Sequence, residues 1–259
     1  MTTDWRQLAV ATGQGSVPGI QILKERGNDV RVARVPHPNG NGTVVVKLWN
    51  RRGLRGWLRR ITRSNIGWRE YAALRFLEPL RVGTPQPLAY LVLRDARTPY
   101  TEAMVSADLG ECQRALAVFK DLLAAGDESR VRAFESALIE STAGMLAVGL
   151  VDTDHRIPNF TVPAGSEKPV RLDFELCRRV RCVAWHPHAV GLMLGTLLGT
   201  HVFAVQPAVH KTTDFAARLQ AAVRATPRVQ RIARARVAEM LGTQSRERGV
   251  EVPMPELWG

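Results

Sequence analysis

Three polar side chains interrupt apolar runs in the second half of this 259-residue chain. Asp154 and Asn159 lie five residues apart in Val151-Asp152-Thr153-Asp154-His155-Arg156-Ile157-Pro158-Asn159-Phe160-Thr161-Val162. Asp173 follows fourteen residues later in Val170-Arg171-Leu172-Asp173-Phe174-Glu175. An Asp, an Asn and a second Asp in this order form the set that phosphoryl transfer needs. One carboxylate accepts the proton of an attacking hydroxyl, while the amide and the other carboxylate hold a divalent metal on nucleotide phosphates. Asp152 is an alternative base, and the spacing to Asn159 selects Asp154. Asn159 taken alone is equally a turn cap after Pro158. Asp173 is harder to explain away, because a carboxylate in an apolar strand needs a partner and a metal is the economical one.

Two more charged residues belong with these by placement. Lys47 lies near the end of the β-branched run Thr43-Val44-Val45-Val46-Lys47-Leu48-Trp49, which the Asn-Gly turn before it marks as a strand. Glu70 falls with Ile66, Ala73, Leu74 and Leu77 on the apolar face of a helix expected over about 66–80, with Ser64-Asn65 as its cap. A carboxylate buried on such a face requires a cation or a hydrogen bond; Glu70 is either a helix-surface residue at the rim of the core or the partner of Lys47, and the ion pair explains its position better.

The elements that must position these residues fall into two groups. Residues 1–18 read as an irregular lead-in, followed by strands at 20–23, 30–35 and 43–49 with short turns between them. After the Glu70 helix come strands at 88–93 and 100–105. From there the pattern is helical: 112–125, 131–148, 187–205, 214–225 and 227–241, ending in a loose tail with Pro253 and Pro255. The expected class is α+β, with a small antiparallel sheet lobe over 1–105 and a mostly helical lobe over 106–259.

In this order the motifs resemble the protein-kinase-like superfamily. Val44-Val45-Val46-Lys47 resembles the strand lysine that touches nucleotide phosphates, and Trp68-Arg69-Glu70-Tyr71 the helix glutamate that pairs with it. Asp154 to Asn159 is similar to the catalytic loop, and Leu172-Asp173-Phe174-Glu175 to the metal-binding segment, with Glu in place of Gly. Within the superfamily the Arg-Glu-Tyr helix, the connector Gly83-Thr84-Pro85-Gln86-Pro87 and the Asp-Phe-acidic segment resemble the bacterial lipopolysaccharide core kinases, which phosphorylate Kdo or heptose. The resemblance covers about 20–205. It implies a bilobal kinase-like fold, ATP with Mg²⁺ (or Mn²⁺), Asp154 as base, Asn159 and Asp173 on the metal, and Lys47 with Glu70 on the phosphates. It further implies Gly27 and Asn28 as backbone donors to phosphate, Glu102 to Met104 beside the adenine, and Arg156 against the transferred phosphate. The chain departs from the pattern in its reduced Gly-rich loop, in Asp152 at the usual loop-His position and in Glu175. A pseudokinase module and an atypical protein or small-molecule kinase are the alternatives.

Composition narrows the partners. Hydrophobic residues make up 45% and the formal charge is +12, so the chain builds a core and favours anionic partners. Two basic stretches, 51–63 and the helix carrying Arg228, Arg231, Arg234 and Arg236, read either as solvated faces or as docking sites for a phosphorylated glycolipid or an anionic membrane face. Nucleic acid is disfavoured, since no helix-turn-helix, zinc finger or ribonucleoprotein aromatic motif is present. Three cysteines without a CxxC pair indicate reduced thiols, and His186 and His188 read as surface residues rather than metal ligands. The N-terminus lacks a signal pattern, so the expected location is cytoplasmic, either free or peripheral at the cytoplasmic face of the inner membrane. The apolar window 190–205 reads as a buried helix, with Gly191, Gly195 and Gly199 letting a second helix approach.

Overall fold

The structure, a computed structural model, describes residues 4–27, 29–50, 65–80, 82–249 and 251–258. Asn28 and the basic stretch 51–63 lie outside the described residues. The chain divides into two compact units: Met1–Glu78 with Pro85–Leu109, and Pro79–Thr84 with Gly110–Gly259.

The first unit is built on a five-stranded antiparallel sheet in the order β1-β2-β3-β5-β4. Its strands are β1 (Gln21–Arg26), β2 (Val30–Pro36), β3 (Thr43–Trp49), β4 (Pro87–Val92) and β5 (Glu102–Ala107). Alternation in β3 sends Val44, Val46 and Leu48 into a core with Ala33, Val35, Ala103 and Val105, and turns Lys47 to the opposite face. The β2–β3 turn uses Gly40 and Gly42 at φ 78 and 79, where a side chain would be strained. The expected irregular lead-in is instead helix α1 (Trp5–Gln14). Asp4 caps it by accepting from Gln7 N (3.0 Å), Gly15 closes it at φ 72, and Ala9 and Val10 are buried in the core of the sheet. An apolar sheet face needs a cover, and this helix supplies it. Helix α2 spans Ile66–Leu77, with a 3₁₀ turn at Glu78–Leu80; Asn65 occupies its N-cap but donates to Tyr90 Oη instead of capping.

The second unit contains α3 (Ala115–Ala124), α4 (Glu128–Ala147), α5 (Pro187–Val205), α6 (His210–Val223) and α7 (Pro227–Arg248). Cys112–Arg114, expected as the first turn of a helix, form strand β6 by pairing with a strand further along. The tail is not loose: Leu257 and Trp258 are buried, and Trp258 Nε1 donates to Ala216 O (2.9 Å). Two apolar side chains near the terminus bury enough surface to hold it.

Helix α5 is long and apolar enough to cross a membrane by composition, yet 78% of its apolar window is buried. Its glycines make that burial possible. A Cβ on Gly195 would sit 2.6 Å from Ala233 O of α7, and one on Gly191 2.6 Å from the Ile232 side chain. Gly195→Ala therefore loses about 1–3 kcal/mol in a denaturant titration, because a backbone carbonyl cannot step aside; an unchanged midpoint would contradict the close packing.

His201 on α5 is fully buried between Glu135 (Nε2 to Oε1, 2.9 Å) and Thr212 (Nδ1 to Oγ1, 2.9 Å), and stacks on Phe215 at 4.3 Å. Burial lowers its pKa from the ordinary 6.5, and the Glu135 hydrogen bond opposes the shift. The unfolded chain thus takes up the proton first, so this contribution is complete above pH 6.5 and is lost as pH falls below it. The melting temperature should fall between about pH 7.5 and 5.5, and His201→Gln should flatten that fall; parallel slopes would exclude His201 as a source.

Candidate active site

The first unit holds the Lys47–Glu70 pair. In β3, Lys47 lies opposite Val32 on one side and Met104 on the other. Its Nζ is 2.8 Å from Glu70 Oε2 and 5.1 Å from the Trp49 ring centroid, and Glu70 is 1% exposed. Helix α2 reaches this depth because position 67 is glycine. A Cβ there would lie 2.9 Å from the Trp49 ring and 3.0 Å from Glu102 Oε2. Glu102 is itself buried and accepts from Tyr90 Oη (3.2 Å).

Glu102 and Met104 were expected beside the adenine. Both lie inside β5, paired to β3 on one side and β4 on the other. Their backbone groups serve the sheet ladders. Gly27 adopts φ 50 in the β1–β2 turn, exposed and with open space where a Cβ would be. That leaves its backbone approachable, while Asn28 beside it lies outside the described residues.

The second unit holds the remaining residues in two loops. Loop 152–159 leaves β7 (Leu150–Val151) and enters β8 (Phe160–Pro163). Loop 172–177 leaves β9 (Val170–Arg171) and enters β10 (Arg178–Arg179). β7 pairs with β10 through Val151↔Arg178, and β8 pairs with β9 through Phe160↔Arg171. The same two ladders therefore clamp both loops at both ends. Leu172 N donates to Asn159 O (3.1 Å) between them.

Within the first loop, Asn159 Nδ2 donates to Asp154 O (2.7 Å) and Asp154 Oδ2 (2.9 Å). Arg156 Nε lies 3.1 Å from Asp154 Oδ1. Asp154 N donates to Asp152 Oδ1 (2.8 Å). Asp173 Oδ1 accepts from Glu175 N (3.1 Å), so Glu175 contributes its amide at the position where the kinase pattern has Gly. Asn159 Oδ1 and Asp173 Oδ2 accept no hydrogen bond among the described residues. Two such oxygens suit a hard divalent cation, so the residues present fit Mg²⁺ or Mn²⁺.

Behind the loops sits a buried charge cluster. Arg171 Nη2 donates to Asp152 Oδ2 (2.5 Å), and Arg171 Nη1 to His155 Nδ1. The Thr142 hydroxyl donates to Leu138 O (2.8 Å), so it accepts from His155 Nε2–H at 2.8 Å. These contacts assign a neutral His155 protonated on Nε2. Burial, with the Arg171 charge adding to it, holds His155 well below 6.5. Burial also raises the Asp152 pKa above 3.8, while the Arg171 guanidinium pulls it back. Helix α5 supports the same loop, with Thr196 Oγ1 donating to Thr153 O (3.2 Å) and Ile157 N donating to Thr200 Oγ1 (3.3 Å).

Among solved structures, the chain resembles "WaaP in complex with acyl carrier protein", with a TM-score of 0.61 over 95% of this chain and 96% of that one. Identity is 16%, so the likeness is one of fold. The fold is α+β, as expected, and like that of WaaP. No protein-family model and no curated protein matches the chain.

The sequence reading missed Arg171, His155, Thr142 and Gly67 as parts of this arrangement. A signal existed for Arg171: an arginine inside an apolar strand demands a carboxylate, and Asp152 was the unassigned one. Nothing local marked Gly67 or Thr142. A double-mutant cycle on Lys47→Met and Glu70→Leu should return a coupling of about 1–3 kcal/mol; additive effects would mean that the pair does not form in solution.

Proposed function

We propose that the protein is an ATP-dependent kinase that phosphorylates a sugar hydroxyl of an anionic glycolipid, a Kdo or heptose of a lipopolysaccharide core. The observation that carries this reading is the second unit's loop pair. Asp154, Asn159 and Asp173 lie on two clamped loops, with the order and spacing of a phosphoryl-transfer set. The Lys47–Glu70 pair and the fold likeness to WaaP support it.

Each residue then has a role. Asp154, oriented by Asn159 and Arg156, takes the proton from the acceptor hydroxyl. As the acceptor oxygen bonds to the γ-phosphorus, the bond to the ADP oxygen breaks, and ADP leaves with the electron pair. Lys47, held by Glu70, carries positive charge to the nucleotide phosphates. Asn159 Oδ1 and Asp173 would hold the metal, which supplies charge neutralisation on the phosphates. Arg156, now paired to Asp154, would turn to the transferred phosphate. Gly27 contributes a backbone N–H in an open turn.

The acceptor class rests on charge and exposure. Leu176 is 50% and Trp185 78% exposed just beyond the metal segment, among the exposed Arg178 and Arg181. Exposed apolar residues among arginines suit an amphiphile with an anionic headgroup. On this reading the protein works in the cytoplasm, against the cytoplasmic face of the inner membrane.

The test is phosphate transfer from ATP to delipidated core sugar, with protein acceptors assayed in parallel. Asp154→Asn should lower kcat by about 10²- to 10⁴-fold without changing the melt, and Asp173→Ala should abolish metal-dependent transfer. Full activity in either variant overturns the residue assignment. Transfer to protein alone would make it a protein kinase, and no thermal shift with ATP and Mg²⁺ would make it a plain binding module.

A further inference from the structure

Asp152 and Arg171 have no part in the chemistry just described, yet both are buried, at 1% and 0% exposure. Arg171 spends its two Nη nitrogens on three targets, while its buried Nε has no partner among the described residues. Nη2 reaches Asp152 Oδ2 (2.5 Å) and Asp173 O (2.9 Å), and Nη1 reaches His155 Nδ1. Its guanidinium lies 5.0 Å from the Phe174 ring centroid and 5.6 Å from that of Phe160. Asp152 in turn uses its other oxygen on Asp154 N (2.8 Å). A continuous path of hydrogen bonds thus runs from the backbone of Asp154, through Asp152 and Arg171, to the backbone of Asp173.

Stability alone does not call for such a pair. A buried ion pair costs desolvation, and apolar residues of similar volume often hold a fold as well or better. What apolar residues lack is direction. The guanidinium plane fixes three acceptors in one geometry, and those acceptors belong to both loops.

We propose that Arg171, held in place by Asp152 and neutral His155, is a positioning residue that sets the metal-binding Asp173 and the base Asp154 in one register. Its catalytic consequence rests on the kinase reading; the coupling of the two loops does not. Asp152 at the loop-His position is then a working part of the site instead of a sign of lost activity. Residues behind a metal ligand that orient it commonly govern affinity and rate without touching substrate.

The experiment compares wild type with Asp152→Leu/Arg171→Met and with Arg171→Lys. It measures melting temperature, amide hydrogen exchange, Mn²⁺ affinity in the presence of a non-hydrolysable ATP analogue, and kcat against KM for ATP. The double variant should melt close to wild type, while the amides of Asp154 and Glu175 exchange faster and those of α5 do not. Mn²⁺ affinity and kcat should each fall about 10- to 100-fold, with KM for ATP little changed. A stable double variant with wild-type exchange at both amides and wild-type kcat overturns the proposal. If the double variant does not fold, Arg171→Lys decides: its single ammonium can pair with Asp152 but not also span to Asp173 O. Glu175 should then exchange faster while Asp154 stays protected, and no change at Glu175 overturns the proposal. A wild type that neither binds Mn²⁺ with nucleotide nor transfers phosphate refutes the kinase reading, while the exchange data still decide the coupling.

Discussion

A buried arginine is costly unless its donors find partners, and Arg171 satisfies both Nη nitrogens by drawing two loops onto itself, while its Nε has no partner among the described residues. Its Nη2 takes Asp152 and the carbonyl of Asp173, while its Nη1 takes the free nitrogen of His155. His155 accepts only because it is neutral, and it stays neutral because it is buried and beside a cation. Thr142 then fixes the tautomer by accepting the proton on the other nitrogen. The polar requirements of one side chain therefore propagate from α4 to the 172–177 loop. The two short ladders, β7 with β10 and β8 with β9, finish the constraint by tying the four ends of the loops.

The scaffold behind these loops is helix α5. Its glycine stripe lets α7 approach until backbone meets side chain, while its threonines reach the first loop at Thr153 and Ile157. Helix packing and loop anchoring thus share one helix, and Thr196 serves both, donating to Thr153 O and accepting from Arg236 Nε of α7 (3.3 Å). In the first unit, close approach has the same use. Gly67 brings α2 onto Trp49 and Glu102, deep enough for Glu70 to meet Lys47 at 2.8 Å. In both units a missing Cβ determines how near a charged or polar group comes to its target.

The strand residues show how burial and function divide a short element. In β3 the valines and Leu48 serve the core, and the intervening Lys47 serves the opposite face. In β5 the backbone of Glu102 and Met104 pairs on both sides, with β3 and with β4. The same sheet needs α1 as its cover, and the signals for that helix, Asp4 and Gly15, were present at its two ends.

The sequence by itself determined the class of the fold and marked the candidate residues of the site. Strand alternation, helical spacing and the order Lys47, Glu70, Asp154, Asn159, Asp173 are local or one-dimensional properties, written in residue type and spacing. It also determined the α5 glycine stripe as a helix contact, since a small residue every fourth position marks one face. Tertiary structure alone decided what Arg171, His155 and Thr142 do, because their partners are distant in the chain. It decided as well that two-residue strands clamp the loops, since two residues are too short to carry a period. And it decided that the tail is held on a helix and that Cys112–Arg114 pair with β8, because both partners are distant in the chain.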